Sequence, residues 1–476
     1  MSTLITTSIP YVNAQPHIGF ALELVIGDVL ARHARKREKT TWFLNGTDDN
    51  SLKNALAAEA AGVSTQAFVQ RNADRFEALS ALLNISNDDF IRTSSDPRHA
   101  RAVVKLWQAC EANGDLYERT YEGLYCVGCE QFYREPELVC GLCPDHRVAP
   151  EAVSERNTFF RLSRYQQQLI SLIESGELAI RPAHRRNEIL SFLDQPLADL
   201  SVSRSTERAR GWEIRVPTDA SQVNYVWFDA LANYISALGY AHGTQTFDQF
   251  WRQADQIIHL VGKGVTRFHA VYWPAILLSA GLRVPTDLWV HGYLTIDGQK
   301  ISKSLGNTIS PWDAQARFGT DPLRYYLLRH IGSHRDGDFN FTRFDEVYES
   351  ELANQFGNLL ARTIGLLRRY GVPAPLKSHL ATGLATQVDE ALERYELHDA
   401  LQAIWLVVGA LNVYVSETAP WALVKSGDIT GCEQILGQLL WGVQCVIDQL
   451  EIFLPATAAR SARQLVELDS TPLFPK

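Results

Sequence analysis

A β-prone run over residues 4–9 feeds through Pro16-His17-Ile18-Gly19-Phe20 into a helical stretch that reaches about Arg37. A strand that turns into a helix offers the unpaired N–H groups and the positive dipole end of that helix to whatever lies at the turn. Gly19 lets a ligand approach the backbone closely. The turn is therefore a candidate phosphate site, with His17 at the head of the helix. The rhythm continues with a strand pattern over 41–44 and helical patterns over 51–61 and 65–83. Such alternation predicts an α/β fold, a parallel sheet with crossover helices.

The rhythm breaks over 116–220, which reads as an insertion, and then resumes. Strand patterns at 256–261 and 288–296 flank a helix over 268–280. The second runs into Lys300-Ile301-Ser302-Lys303-Ser304. From about 350 to about 453 the pattern is helical, with polar breaks near 372–378 and 426–431. A chain of 476 residues divides into two to four domains on this reading.

Composition excludes some classes. The net charge of −9 argues against a generally basic coat for nucleic acid, though a local basic groove can still bind RNA. The N-terminus lacks the charged and apolar regions of a signal peptide. No uninterrupted apolar run reaches ~18 residues, so no membrane span is expected. Four of the seven cysteines lie between 126 and 143, which fits a metal knuckle better than a disulfide framework. A cytoplasmic protein is expected.

Three clusters carry chemistry. Lys300 and Lys303 sit among Ser302, Ser304, Gly306 and Asn307, and cations so placed can stabilise charge that builds on a phosphate. Cys126-x2-Cys129 and Cys143-x2-His146 form two paired knuckles suited to tetrahedral Zn²⁺ at ~2.0–2.3 Å. Cys140 offers a competing set of Cys126, Cys129, Cys140 and Cys143, and the residues alone leave both open. Asn358 and Arg362, four apart, share one face of a helix, and Pro420-Trp421 follows later.

These segments together resemble the class I aminoacyl-tRNA synthetases, and among them the methionyl-tRNA synthetases. Thr6-Thr7-Ser8-Ile9-Pro10-Tyr11-Val12-Asn13 with Pro16-His17-Ile18-Gly19 matches the first strand and signature of that family. Val290-His291-Gly292-Tyr293 and Gly298 precede the KISKS loop with the family's spacing. The resemblance implies a Rossmann-like catalytic domain over 1–115 and 221–295, interrupted by a connective insertion over 116–220 that holds the zinc knuckle. A KISKS-loop linking domain over 296–350 and a helical anticodon-binding bundle over 351–476 would follow.

It also implies roles. ATP, with Mg²⁺, would be handled by His17, Gly19, His291, Gly292, Lys300 and Lys303, with His17, Lys300 and Lys303 catalytic. Methionine would lie among Ile9, Tyr11, Trp227, Ala230, Tyr234, Phe268 and His269, its ammonium on Asp48 with Arg204 as brace. Asn358, Arg362 and Trp421 would read the anticodon of tRNA(Met). The family pattern favours Cys126, Cys129, Cys143 and His146 as ligands of a structural Zn²⁺. The chain ends soon after Phe453-Leu454-Pro455, without the dimerisation module of some relatives, so a monomer is expected.

The chain departs from the pattern on the ATP side. Phe20 stands for a second histidine, Asn50-Ser51 for His-Gly, and Gly264 for an aspartate expected to hold the ribose. A lost charge-assisted hydrogen bond is worth ~1.5–3 kcal/mol, so these changes are expected to weaken activation. The main expectation is a methionine–tRNA ligase. The alternatives are a paralogue that passes methionine or an analogue to another acceptor, and a weakly catalytic binder of tRNA or methionine.

Overall fold

The computed structural model describes residues 1–127, 131–133, 135–144, 147–296, 298–301 and 308–475, with the backbone alone at 121, 131, 132 and 300. The chain forms two compact units. The first comprises Met1–Pro16, Glu38–Ala81 and Ser86–His291, and the second His17–Arg37, Leu82–Ile85 and Gly292–Lys476.

The first unit is built on a six-stranded parallel sheet. Its strands are β1 (Ser2–Thr7), β2 (Thr40–Thr47), β3 (Asp89–Arg92), β4 (Ala179–Arg181), β5 (Gln256–Gly262) and β6 (Asp287–His291). Their order is β3-β2-β1-β5-β6-β4, and Ile5 lies opposite both Phe43 and Ile258. Parallel strands are covered on both faces, so they read as apolar runs. Leu4, Ile5, Phe43, Leu44, Ile257, Leu260, Val261, Leu288 and Val290 are accordingly all buried. The strand order reverses between β1 and β5. Ligands of open α/β sheets bind outside the carboxyl ends of the strands at such a switch point.

The stretch 116–220 supplies a four-stranded antiparallel sheet, in which Leu116–Cys126 pairs along its length with Glu151–Phe160. The same stretch also supplies β4, whose residues Ala179 to Arg181 pair with Asp287 to Trp289 of β6. It therefore extends the parallel sheet as well as interrupting it. The expected strand over 288–296 is two strands. β6 ends at His291, and Leu294–Ile296 begins a small sheet of the second unit with Gln299–Lys300 and Gly337–Asp338. The break falls at Gly292, where a Cβ would lie 2.1 Å from the carbonyl oxygen of Arg335.

The second unit is mainly helical. We label α1 (Ile18–Lys36), α2 (Thr320–Arg329), α3 (Asn358–Tyr370), α4 (Leu397–Thr418), α5 (Pro420–Ser426) and α6 (Ile429–Phe453). α1 is pinned at mid-length. The buried carboxylate of Asp28 lies 2.7 Å from Arg324 Nη2 and 2.7 Å from Arg32 Nε. Arg324 also donates to Phe453 O at 2.8 Å and Leu83 O at 3.0 Å. A buried ion pair is tolerable when the remaining donors find partners, as Arg324 Nε and Nη1 do. α4 packs on α6 and on the helix Leu384–Glu393. The stretch Leu397–Ser426 is long and apolar enough by composition to cross a bilayer, and 44% of the apolar 18-residue window within it is buried inside the protein. Its buried face of Leu401, Ile404, Val408, Leu411 and Val415 is a core face.

Candidate active site

At the switch point of the first unit, aromatic side chains form a wall. Trp227, on the helix Val226–Leu231, stacks on Phe268 with centroids 3.6 Å apart and planes 10° from parallel. Tyr11, just past β1, meets Trp227 edge-on at 6.4 Å, and His269 does so at 6.5 Å. Phe268 and His269 open a π-helix, Phe268–Tyr272, whose wider turn brings sequence neighbours nearer to one face. Ile9 follows β1, and Ala230 and Tyr234 are buried, the latter against His269. Asp48 bridges to Tyr11, and its N–H donates to Pro10 O at 2.9 Å. Lys53 Nζ sits 4.4 Å from the centre of the Tyr11 ring. Arg204 is held by Ser201 and Ser203 and lies over the Tyr225 ring at 4.4 Å.

Hydrogen bonds fix the protonation of this wall. Val265 O can only accept, so His269 Nδ1, 2.9 Å away, carries a proton. In the neutral ring Nε2 then accepts from the Tyr234 hydroxyl at 2.8 Å. Behind them, Trp273 Nε1–H donates to His259 Nε2 at 3.2 Å, so His259 carries its proton on Nδ1 and donates to Thr6 Oγ1 at 2.7 Å. Complete burial pushes the His259 pKa well down, and His269 adds to that shift. The Tyr234 ring lies on His259 at 4.2 Å. With His269 in its neutral form, the wall is uncharged, aromatic and internally hydrogen-bonded. Trp227 Nε1–H is buried with no acceptor among the described residues, which leaves one donor that a ligand can satisfy.

The structure gives two of the ATP-side departures structural work. Asn50 is buried and donates to Asp229 Oδ2 at 3.0 Å and to Thr93 O at 3.3 Å. Asp229 Oδ1 lies 2.5 Å from His99 Nε2, whose other nitrogen is 3.0 Å from Ser236 Oγ. Ser51 caps the helix Leu52–Ala60, accepting from Lys53 N at 3.1 Å. The sequence drew attention to Asn50 and Ser51 but not to His99, Asp229 or His259. Each of these is a lone buried polar residue whose partner is remote in the chain.

In the second unit, His17 is the N-cap of α1, and its Nδ1 accepts from Gly19 N–H at 3.1 Å. A neutral His17 therefore carries its proton on Nε2. A Cβ on Gly19 would lie 2.9 Å from His17 Cε1, so glycine is what lets the ring fold back onto the helix start. Phe20 packs on the His17 ring at 4.4 Å, with a 32° tilt. The segment flanking the lysine loop meets this turn. Ile18 N–H donates to Ile309 O at 3.0 Å, and the Ile301 side chain lies 3.8 Å from where a Gly19 Cβ would be. Lys300 ends the hairpin Leu294–Ile296/Gln299–Lys300, with Asp338 Oδ1 accepting from Thr295 Oγ1 and Gly298 N at 2.8 Å each. Lys303 lies outside the described residues, as do Ser302 and Ser304 to Asn307. His291 is buried at the carboxyl end of β6, and Gly292 begins the second unit.

Two further clusters were expected. Cys126 and Cys143 are buried together with Tyr133, whose hydroxyl is 3.6 Å from Cys143 Sγ. Cys129 and His146 lie outside the described residues, and among the described residues no group of three candidate ligands assembles. Asn358 is exposed at the start of α3. One turn on, the Arg362 guanidinium lies 5.4 Å over the Trp421 ring and donates to Ser416 Oγ at 3.0 Å.

Residues 3–152 and 146–364 match the family model described as tRNA synthetases class I (M). The chain is 40% identical over 444 residues to a methionine–tRNA ligase of Thermotoga maritima, covering 90% of this chain and 70% of that protein. The chain belongs to the class I methionyl-tRNA synthetases. It is also 39% identical to the methionine–tRNA ligase of Brucella suis, over 98% of this chain and 92% of that one. A solved structure of Mycobacterium tuberculosis methionyl-tRNA synthetase in complex with methionyl-adenylate superposes with a TM-score of 0.93 at 35% identity, and the match covers all of both chains. Membership of this family agrees with the mixed α/β fold and its parallel sheet, and makes the chain an aminoacyl-tRNA synthetase.

Proposed function

We propose that the chain is a methionine–tRNA ligase: it joins methionine to ATP as methionyl-adenylate, releasing pyrophosphate, and passes the methionyl group to tRNA(Met). The observation that carries this reading is the Trp227–Phe268 stack backed by Tyr234 and His269. A thioether is apolar and polarisable, and aromatic edges favour sulfur by roughly 0.3–1.5 kcal/mol. A neutral, aromatic wall suits it better than it suits a charged or strongly polar side chain. Asp48 receives the ammonium, with Arg204 behind it, and Ile9, Tyr11 and Ala230 complete the lining. On the ATP side, His17 offers Nε2–H to the phosphates. Gly19, His291 and Gly292 allow close approach, and Lys300 and Lys303 bring positive charge to the reacting phosphate. Mg²⁺ accompanies the nucleotide as counter-ion.

Asn358, Arg362 and Trp421 form the anticodon-reading face, since splayed loop bases are bound by stacking and edge hydrogen bonds. Retention of that face favours tRNA as the acceptor over another molecule. Cys126, Cys129, Cys143 and His146 hold a structural Zn²⁺. The shared burial of Cys126 and Cys143, against the exposed Cys140, supports that set over the one with Cys140. The domain plan is catalytic over 1–115 and 221–295, connective over 116–220, linking over 296–350 and anticodon-binding over 351–476, in a cytoplasmic monomer outside the membrane. Aminoacylation with labelled methionine and a tRNA(Met) transcript tests the assignment. Methionyl-tRNA should accumulate, and its absence with an active adenylation step would move the acceptor elsewhere.

A further inference from the structure

Between the helix Phe341–Val347 and α3 lies a π-helix of ten residues, Tyr348–Gly357. π turns are rare and persist mostly at functional sites. This one runs directly into Asn358, the first residue of α3. Its wider turns put the side chains of α3 out of step with those of the preceding helix. The π stretch therefore determines which residues of α3 face α4 and α5.

Glu351 holds the π stretch in place. Its carboxylate accepts from the Tyr325 hydroxyl and from Arg329 Nε at 3.3 Å. His330 Nε2 lies 3.3 Å from its other oxygen, without the alignment of a hydrogen bond and close enough for charge attraction when the imidazole is protonated. Burial works to raise the Glu351 pKa, but His330, Tyr325 and Arg329 outweigh it and hold it down at about 2. The partners are themselves tied to α4. Arg329 Nη2 donates to Gln402 Oε1 at 2.5 Å, His398 Nδ1 donates to Arg329 O at 2.7 Å, and the Tyr325 ring packs on Trp405 at 4.4 Å. Further along α4, Asn412 Nδ2 donates to Gln355 O near the end of the π-helix at 3.2 Å, and Ser416 receives Arg362.

We propose that Glu351 is a positioning residue for RNA recognition. By fixing the π-helix to α2 and α4, it sets the rotation of α3 that presents Asn358 and Arg362 to the anticodon. The proposal rests on the anticodon reading given above. Glu351 itself touches no substrate.

The test uses the full chain, tRNA(Met) transcript and two assays, aminoacylation and methionine-dependent ATP–pyrophosphate exchange. Glu351→Ala should raise the KM for tRNA by about 10-fold, a loss of one or two charge-assisted hydrogen bonds, and leave exchange unchanged. Glu351→Gln keeps the acceptor oxygen and should recover most of that loss. Tyr325→Phe keeps the ring on Trp405 and should give a smaller loss, about 2–5-fold, in the same direction. Glu351→Ala combined with Arg362→Ala should lose clearly less than the two single losses together, because the part of the Glu351→Ala loss that acts through Arg362 is already gone. An unchanged tRNA KM in Glu351→Ala, an equal loss in exchange, or additive effects in the double variant would overturn the proposal. If Arg362→Ala alone leaves the tRNA KM unchanged, the anticodon reading fails and takes the proposal with it.

Discussion

The aromatic wall proposed for methionine in the first unit and the His17 turn proposed for phosphate in the second are built on different principles. The methionine wall is redundant. Tyr234 is fixed through His269 and by stacking on His259, and His259 is fixed by Trp273 and Thr6. No charge has to be carried, and each ring has at least two restraints. The phosphate side rests on one imidazole at the head of α1. Its proton is placed by Gly19 N–H, and its ring packs on the phenyl group of Phe20. Of the four departures noted in the sequence, Phe20 lies in the second unit and Asn50, Ser51 and Gly264 in the first. Of those departures, Asn50 and Ser51 have become structural groups, and Phe20 has become a packing partner. The difference teaches that a changed residue in a motif need not be a lost function, because it can support the residue that remains.

The comparison can be broken by substitution. The largest effect is expected at His17. His17→Ala removes the only imidazole of the signature and should lower exchange by about 100-fold or more, the scale of a lost donor to developing charge. A loss of only a few-fold would mean that the lysines carry the chemistry without it. Tyr234→Phe comes next. It leaves His269 Nε2 without its donor and should raise the KM for methionine about 10-fold with little change in the KM for ATP. Equal changes in both would show that the two sides are not separable. The smallest effect is expected at Phe20. Phe20→His keeps an aromatic ring beside His17 and restores a polar group, and should raise exchange by a few-fold. A lower rate would show that the apolar packing on His17 matters more than a second imidazole.

Much of this was legible in the sequence because it is local. The strand-to-helix turn at His17 and the α/β rhythm each depend on neighbours close in the chain, whereas Tyr11, Trp227 and Phe268 are remote from one another and are grouped only by the family resemblance. What escaped is non-local or needs one residue more than a regular period allows. β4 is three residues long and is defined only by its pairing with β6. The apolar run 288–296 hides the break at Gly292, which is forced by the backbone of Arg335. The π turns at Phe268–Tyr272 and Tyr348–Gly357 keep a helical pattern while shifting its phase. His259 and the Asn50–Asp229–His99 network join residues as much as 253 positions apart, so no window of sequence contains them.

The most direct measurement is ATP–pyrophosphate exchange by the unmodified chain with methionine, compared with leucine and glutamine. A working methionine wall and a single supported imidazole predict exchange that depends on methionine, is weak with the other two, and falls by about 100-fold or more in His17→Ala. Absence of exchange with methionine would contradict the account, because the phosphate side would then have lost the reaction that the methionine side is built to serve.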